Sequence, residues 1–392
     1  MNYAIEGISA DVKAFSEMVL NKVQTSMFGV DRIIRLTMVA LYTDGHVLLE
    51  GNPGLGKTEL VKTIGKVLSL EFGRIQFTPD LMPSDITGTY MPSYSEKNEI
   101  KLAFQPGPIF TSLLLADEIN RATPKTQSAM LEAMAENQVT VLGKTRSLEK
   151  PFVVLATQNP IDQEGTYDLP EAQADRFMFK ALMPVPGSHT ILKIMNKRSG
   201  VIAKKISDDQ PNNDDSVRLK NTMFSNAQKE PKEIFNKIYE NIQKVEPSEI
   251  IEQHIINMFL ASNQKFDELQ GIETSNLNTL KQIVEELMTI GLSPRAAIDL
   301  MLATKAWSLL FFGSSATDPR ALANVVIPTL RHRIKLDMDW EYRYRQIIRD
   351  KIQSNLGLHE DLLANFCMLS APSEKFTKYP KEFKHILLNE GQ

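Results

Sequence analysis

Residues 51–58 carry the strongest chemical signal in this sequence. They read Gly-Asn-Pro-Gly-Leu-Gly-Lys-Thr and match the phosphate-binding pattern GxxxxGK[ST] at every fixed position. An apolar run over 46–50 precedes the loop and an amphipathic run over 59–68 follows it, which predicts the strand–loop–helix context that the pattern requires. Backbone N–H groups of such a loop surround an anion at a helix N-terminus. Lys57 would reach the β- and γ-phosphates of a nucleotide, and the Thr58 hydroxyl would bind Mg²⁺.

A pair of acidic residues follows a second apolar run. The run Ser112–Ala116 ends in Asp117 and Glu118, about 60 residues after Lys57. The first carboxylate would hold Mg²⁺ through water, and the second would polarise an attacking water as general base. Two acids at a strand end are common, but in combination with the phosphate loop the pair predicts nucleotide hydrolysis.

Three further polar residues each have two interpretations. Asn159 follows a third apolar run, where it would orient the attacking water or form a turn with Pro160. The neighbours of Arg176 and Arg295 do not identify either arginine as catalytic. A surface ion pair, for example between Arg176 and Asp175, is the simpler alternative. The residues by themselves leave these alternatives open.

The elements that position these residues form two successive patterns. Strand-like and helix-like segments alternate from residue 46 to about residue 184, which predicts an α/β layered domain. The middle strands are near-continuous apolar runs, as in a parallel sheet that is buried on both faces. Two helices, 1–28 and 30–43, precede the first strand. The later candidate strands are Phe72–Phe77, Ser112–Ala116, Phe152–Ala156 and Arg176–Leu182.

Residues 184–187 read as a linker, and the sequence beyond them is almost wholly helical in character. A polar stretch at about 200–250 is interpreted as an insertion. Before the linker, residues 138–148 predict a β-hairpin whose turn is Gly143–Thr145. The predicted helices of the second part are Leu280–Thr289, Pro294–Phe312 and Pro319–Ile334.

Composition narrows the functional classes. The chain has 392 residues, of which 42% are hydrophobic, and a formal net charge of −4, which disfavours nucleic acid as a partner. A single cysteine, Cys367, excludes an internal disulfide framework and suits a reducing compartment. The first residues lack the basic and apolar regions of a signal peptide, and no apolar run approaches the roughly 20 residues of a membrane span. These features predict a cytoplasmic protein without membrane insertion.

Taken in order, the motifs resemble those of the MoxR family of AAA+ ATPases. The segment Gln127–Met134 also fits the family's helix after the acidic pair. The resemblance covers about residues 28–186 and resumes at about 290–334. The stretches that carry it most clearly are GHVLLEG (45–51), ADEINRA (116–122), ATQNP (156–160) and LPEAQADRF (169–177).

Several roles follow from the resemblance. It implies that Asn159 is the sensor-1 residue and that Arg176 is an arginine finger reaching the nucleotide of a neighbouring subunit. It makes Arg295 the sensor-2 residue of a lid, and it puts Gly29 and Val30 near adenine. The implied ligands are ATP and Mg²⁺, with Thr58 and Asp117 at the metal. The implied nucleotide contacts are Gly51, Asn52, Pro53, Gly54, Leu55, Gly56, Lys57, Thr58, Glu59 and Asp117.

The resemblance also implies an architecture and a role. The expected fold is an α/β AAA+ P-loop domain, with a five-stranded parallel sheet between helices, followed by an all-α lid domain. The expected assembly is a ring, a homo-hexamer, that remodels or matures client proteins as a chaperone. Partners with von Willebrand factor A domains are common in the family. The predicted segments are an N-terminal helix (1–28), the α/β domain (29–186), the lid (187–336) and a C-terminal helical extension (337–392).

Two other classes remain as alternatives. The first is an AAA+ ATPase that acts on nucleic acid, for which a basic stripe would be expected. The second is a nucleotide-gated scaffold, which would not need to keep Lys57, Asp117, Glu118 and Arg176 together. No residue pattern decides between ATP and GTP.

Overall fold

The computed structural model describes residues 2–52, 54–94, 100–159, 166–167, 169–199, 231–348, 357–373 and 378–389. The chain divides into two compact units. The α/β unit comprises residues 10–169 and 181–238, and the helical unit comprises residues 1–9, 170–180 and 239–392. The domain boundaries predicted from the sequence at residues 28, 186 and 336 remain predictions.

A five-stranded sheet forms the core of the α/β unit, and its spatial order is β2-β5-β8-β1-β9. The first three pairings in this order are parallel. Three consecutive leucines of β5, residues 113–115, are fully buried, so both faces of the sheet are covered. The predicted fold class is confirmed. The strands are, in chain order, β1 (Val47–Glu50), β2 (Phe72–Gln76), β3 (Gly88–Tyr94), β4 (Ile100–Pro106), β5 (Leu113–Asp117), β6 (Gln138–Val141), β7 (Lys144–Ser147), β8 (Val153–Gln158) and β9 (Phe179–Leu182).

The helices follow the predicted periodicity where their apolar positions are buried. In the first helix, Val12, Phe15, Val19 and Val23 are all buried, and the helix ends at residue 24 rather than 28. The helices are α1 (Asn2–Gln24), α2 (Asp31–Leu41), α3 (Lys57–Leu68), α4 (Pro83–Thr87), α5 (Pro124–Glu136), α6 (Glu171–Ala174), α7 (Ser188–Arg198), α8 (Pro231–Gln243), α9 (Glu249–Ser262), α10 (Thr274–Leu287), α11 (Pro294–Trp307), α12 (Pro319–Leu330), α13 (Trp340–Ile348), α14 (Leu358–Leu369) and α15 (Tyr379–Asn389).

Two antiparallel hairpins, β3–β4 and β6–β7, extend the α/β unit. The predicted hairpin is present, but its predicted turn, Gly143–Thr145, is wrong. The turn consists of Leu142 and Gly143, whose φ angles are +49° and +75°. Two successive positive φ angles are typical of the tight two-residue turns that match the twist of a hairpin. The Arg146 guanidinium lies 3.9 Å from the ring centroid of Phe104, and so connects the second hairpin to the first.

The helical unit is not wholly helical. β10 (Met288–Ile290) pairs with β11 (Lys335–Leu336) directly after α10, so the helix predicted to reach residue 289 ends at residue 287. The helix predicted over 294–312 changes to π-type hydrogen bonding at residues 308–312. Of the predicted insertion, residues 200–230 lie outside the described residues, whereas α8 and the first residues of α9 occupy its second part.

The strand predicted over Arg176–Leu182 begins only at Phe179. Residues 171–174 form the short helix α6, and residues 175–178 form a turn before the strand. Several carbonyls of this turn accept hydrogen bonds from side chains instead of from a neighbouring strand.

Of the helices that the structure describes, none combines the length and apolar character that a bilayer crossing requires.

Candidate functional site

The loop between β1 and α3 turns through two left-handed glycines. Gly54 has a φ of +84° and Gly56 a φ of +82°, a backbone region that favours glycine. Gly56 caps α3, and its carbonyl accepts a hydrogen bond from the N–H of Leu60 at 2.9 Å. The N–H groups in the first turn of a helix have no helical acceptors, which makes them available to an anion. Apart from its chain neighbours, no heavy atom of the described residues lies within 4 Å of a methyl group built on Gly54, which leaves room for a phosphate.

Lys57 begins α3, and its ammonium group lies at the ends of the strands. It donates hydrogen bonds to the carbonyls of Gly51 and Gln158, the latter at 3.3 Å. Partial burial lowers the pKa of Lys57, and three carboxylates oppose this shift, Asp117 most strongly. The ammonium group is therefore within the electrostatic reach of the acidic pair.

Asp117, the last residue of β5, is held on both carboxylate oxygens. The hydroxyl of Thr157 donates to Oδ1 at 2.8 Å, and Nη2 of Arg74 donates to Oδ2 at 2.8 Å. The Thr157 oxygen also accepts a hydrogen bond from the N–H of Glu118 at 2.8 Å. One threonine on β8 thus fixes the position of both acidic residues.

Glu118 leaves the strand through a left-handed conformation, with a φ of +56°. This conformation is uncommon for a residue other than glycine, and it turns the chain sharply at the strand end. Oε2 of Glu118 accepts a hydrogen bond from Nε2 of Gln76 at 3.0 Å and lies 3.1 Å from Nε of Arg121. Two side chains therefore engage one oxygen of the candidate general base.

The sheet order brings the predicted elements together. In one row of the sheet, Ala156 of β8 lies opposite both Ala116 of β5 and Leu48 of β1. Because β8 separates β5 from β1, the acidic pair and the phosphate loop end on either side of it. Asn159 is half-buried and follows β8 directly, so it lies between them.

The other predicted nucleotide contacts belong to the same loop. Pro53 lies outside the described residues. Gly51 is tightly enclosed, because a methyl group built on it would approach Cβ of Met183 to 2.6 Å. Any side chain at this position would displace the start of the loop. The remaining loop residues, which are exposed or half-buried, are Asn52, Leu55, Thr58 and Glu59.

The predicted adenine contacts lie beside the loop. Gly29 has a φ of +73°, and a methyl group built on it would lie 3.3 Å from Cγ2 of Thr190. Val30 is buried at the start of α2. Met27 belongs to the same turn, and its Cε lies 3.6 Å from a methyl group built on Gly56. This segment is thus adjacent to the phosphate loop, as a nucleotide that spans both would require.

The two predicted arginines belong to the helical unit. Arg176 is half-buried and lies in the turn between α6 and β9. Arg295 is exposed in the first turn of α11, whose N-cap is Ser293. Their roles at a nucleotide remain predictions.

Four residues in contact with the acidic pair were not predicted from the sequence: Arg74, Gln76, Arg121 and Thr157. A weak signal was present for two of them, since Arg74 and Gln76 flank the buried Ile75 and so lie on one face of β2. That β2 lies beside β5 is a property of the sheet order, which the local pattern does not contain.

The donors and acceptors at this site fit a magnesium nucleotide. The backbone N–H groups at the start of α3 and the Lys57 ammonium suit phosphate oxygens, and the oxygens of Thr58 and Asp117 suit Mg²⁺. The ammonium already binds two carbonyl oxygens, which a phosphate would replace. A phosphate loop after the first strand of a parallel sheet, with an acidic pair two strands away, defines a P-loop nucleotide hydrolase.

Comparisons with known proteins narrow this class. Residues 46–179 match the family described as "ATPase family associated with various cellular activities (AAA)", and residues 280–351 match "AAA lid domain". YeaC of Bacillus subtilis, described as uncharacterized, is 37% identical over 79% of this chain and 83% of that protein. Chaperone MoxR1 of Mycobacterium tuberculosis is 35% identical over 85% of this chain and 79% of that protein. A crystal structure of a candidate ATPase from Cytophaga hutchinsonii has a TM-score of 0.67 and 35% identity, and the match covers 87% of this chain and 94% of that one.

The chain belongs to the MoxR family of AAA+ ATPases. The resemblance inferred from the motifs is confirmed by relatives that match across most of both chains. Membership of this family supports ATP binding and hydrolysis in general. The match to a lid domain at 280–351 agrees with a helical region after the α/β sheet.

Proposed function

We propose that this protein hydrolyses ATP in a Mg²⁺-dependent reaction and uses the cycle to remodel client proteins. The observation that carries the proposal is that Lys57 follows β1 and the acidic pair ends β5 at the same edge of the sheet, with Asn159 at the end of the intervening β8. Each of these groups matches one requirement of phosphoanhydride hydrolysis.

Each residue has a distinct task in the proposed reaction. When bound, the magnesium ion neutralises phosphate charge and so stabilises the transition state electrostatically. Lys57 binds the phosphates, and Thr58 and Asp117 hold the ion. Glu118 accepts a proton from the attacking water at a carboxylate oxygen, and Asn159 orients that water. Gln76 and Arg121 both engage Oε2 of Glu118, so proton transfer to that oxygen would require them to release it.

The proposal includes assembly. Arg176 of one copy acts on the nucleotide of its neighbour in a ring, a homo-hexamer, and supplies positive charge as the transition state forms. Arg295 senses the same nucleotide from the lid. The relative named a chaperone supports a role in maturing other proteins, with partners that carry von Willebrand factor A domains as candidate clients.

Nucleotide binding is tested by substitution of Lys57. Lys57→Ala should abolish ATP binding, measured by calorimetry, because its ammonium is the charged ligand of the phosphate loop. Lys62→Ala is the matched control, since this exposed lysine lies on the same helix. Unchanged binding by Lys57→Ala would remove the phosphate-loop assignment.

The shared site is tested by mixing subunits. Arg176→Ala and Glu118→Gln should each lose turnover alone. An equimolar mixture should regain part of it, because an intact finger then faces an intact base across some interfaces. If no activity returns, Arg176 does not act on a neighbouring copy.

A further inference from the structure

The turn that carries Arg176 is held by three consecutive residues of the helical unit. Arg331, His332 and Arg333 follow the end of α12, and each donates hydrogen bonds to main-chain carbonyls within residues 175–180. In the sequence, this tripeptide has no recognisable chemical task. The structure connects it to one of the two predicted nucleotide arginines.

Arg333 makes most of these contacts. Its guanidinium donates to the carbonyls of Asp175 at 3.1 Å, Phe177 at 2.9 Å and Met178 at 3.3 Å. The first two carbonyls flank Arg176 in the chain. The Arg333 side chain is only 2% exposed. Its many fixed donors therefore define the path of the backbone on both sides of Arg176.

Two carboxylates compensate the charge of Arg333. Nε lies 2.8 Å from Oδ1 of Asp175, and Nη2 lies 2.5 Å from Oδ2 of Asp299. Ser293, the N-cap of α11, also donates its hydroxyl to both oxygens of Asp175, at 3.0 and 2.9 Å. Arg333, Asp175, Asp299 and Ser293 form a cluster, here called the clamp, that ties the turn to the beginning of α11.

The two neighbours of Arg333 reinforce the same segment. His332 is buried, and Nε2 lies 2.8 Å from the carbonyl of Phe177. Burial and adjacent positive charge hold the pKa of His332 well below its usual range, so the ring is neutral and donates this bond. Nη1 of Arg331 donates to the carbonyl of Lys180 at 2.7 Å, while Nε pairs with Glu360 at 2.8 Å.

We propose that Arg333 is a positioning residue that sets the orientation of Arg176 toward the nucleotide. This inference rests on the role of Arg176 proposed above. A planar guanidinium with five donors can serve four carbonyls and two carboxylates, some through a shared N–H group, whereas a lysine ammonium with three donors cannot. A finger displaced by about 1 Å loses most of its effect on the transition state, because catalysis by a fixed charge depends on geometry.

The test compares Arg333→Lys, Arg176→Ala and the double variant in the full chain. Arg333→Lys should lower kcat by about tenfold or more, while the affinity for an ATP analogue stays within about twofold. In the Arg176→Ala background the same substitution should lower kcat no further, since Arg333 acts through Arg176. Arg343→Lys is the matched control, because Arg343 also donates to a carbonyl and a carboxylate in this unit, away from the turn.

Each result decides between positioning and mere support of the fold. The proposal would be overturned if the fall in kcat of the double variant were the product of the falls in the two single variants. It would also be overturned if Arg333→Lys lowered the affinity for the ATP analogue as much as it lowers kcat. If Arg176→Ala keeps full turnover, the proposed finger fails and the role of Arg333 fails with it. If Arg176→Ala loses turnover but Arg333→Lys keeps it in full, Arg176 remains the proposed finger and Arg333 does not position it.

A second variant guards against misfolding. Asp175→Asn removes one carboxylate from the clamp, whereas Asp299 still compensates the buried charge of Arg333. We expect a fall in kcat of about three- to tenfold that again disappears in the Arg176→Ala background. An unchanged kcat in a folded Asp175→Asn protein would contradict the proposal.

Discussion

The acidic pair of the α/β unit and the acidic pair of the clamp are both bound by arginine, but in different surroundings. Asp117 and Glu118 pair with Arg74 and Arg121, whose side chains are 45% and 43% exposed. In the helical unit, Asp175 and Asp299 share one arginine that is 2% exposed. The same kind of ion pair is therefore solvated in one region and enclosed in the other.

In the proposed reaction, Asp117 and Glu118 must exchange their arginine partners, whereas Arg333 must keep its carboxylates. Exposed ion pairs contribute about 0–1 kcal/mol, so Asp117 and Glu118 can exchange them for a metal ion and a water at little cost. Removal of one member of an enclosed pair costs several times more, because a charge is left without compensation. We infer that the arginine contacts of the two acids proposed to act on the nucleotide are readily exchanged, whereas the contacts that hold the turn bearing Arg176 are not.

The largest effect on stability is expected at the enclosed arginine. Arg333→Met should lower the free energy of unfolding by about 3–5 kcal/mol, since it leaves two carboxylates and four carbonyls without their guanidinium donor. Arg343 is half-buried, with a side chain that is 37% exposed. Urea denaturation of Arg333→Met and Arg343→Met measures the contrast between the two arginines. Equal losses in the two variants would show that the enclosure of Arg333 contributes nothing.

The largest effect on turnover is expected from loss of Glu118, the proposed general base. Glu118→Gln keeps the shape of the side chain and should still bind ATP, but turnover should fall by about 10²–10³-fold because an amide cannot accept the proton. Steady-state hydrolysis and calorimetric binding measure the two quantities. Normal turnover would mean that another group is the base.

Acidification should lower the free energy of unfolding through the buried histidines of the helical unit. Burial lowers the pKa of His254 to about 4, whereas an unfolded histidine titrates near 6.5. Between pH 7 and pH 5, His254 binds a proton in the unfolded chain but not in the folded chain. The free energy of unfolding should therefore fall by about 2 kcal/mol from this group. His332 acts in the same direction.

The contribution of His254 is isolated with His254→Asn. This variant is expected to be less stable at pH 7, because the ring nitrogens of His254 contact the Tyr379 hydroxyl and the Cys367 carbonyl. Its stability should nevertheless depend less steeply on pH between 7 and 5. An identical slope in the two proteins would show that His254 is not the titrating group.

The smallest effect on stability is expected at the exposed arginine. Arg74→Met should change the free energy of unfolding by no more than about 1 kcal/mol. It should also lower the Mg²⁺ concentration for half-maximal turnover by about two- to fivefold, because Arg74 occupies Asp117 and repels a cation. Arg320→Met, at the similar exposed pair with Asp318, is the control. A higher Mg²⁺ requirement in Arg74→Met would contradict competition between arginine and metal.

The residues with a local signature were predictable from the sequence. The phosphate loop, the apolar strands before Asp117 and Asn159, and the capped helix that starts at Pro294 depend on neighbours a few residues apart. The turn at Leu142 was missed because leucine rarely adopts a positive φ, and only the pairing of β6 with β7 requires it. The start of β9 was missed for a different reason, since the partners of residues 175–178 lie about 150 residues away along the chain.

The sequence by itself determined the chemistry: a loop for phosphate, an acidic pair and a family that hydrolyses ATP. These features are readable because backbone conformation and short spacing encode them locally. The tertiary structure decided which side chains hold the chemistry in place. Thr157 and Arg74 meet Asp117 only through the order of the strands, and Arg333 meets the turn of Arg176 only through the packing of the helical unit. Such contacts join residues far apart in the chain, where no local pattern specifies the partner.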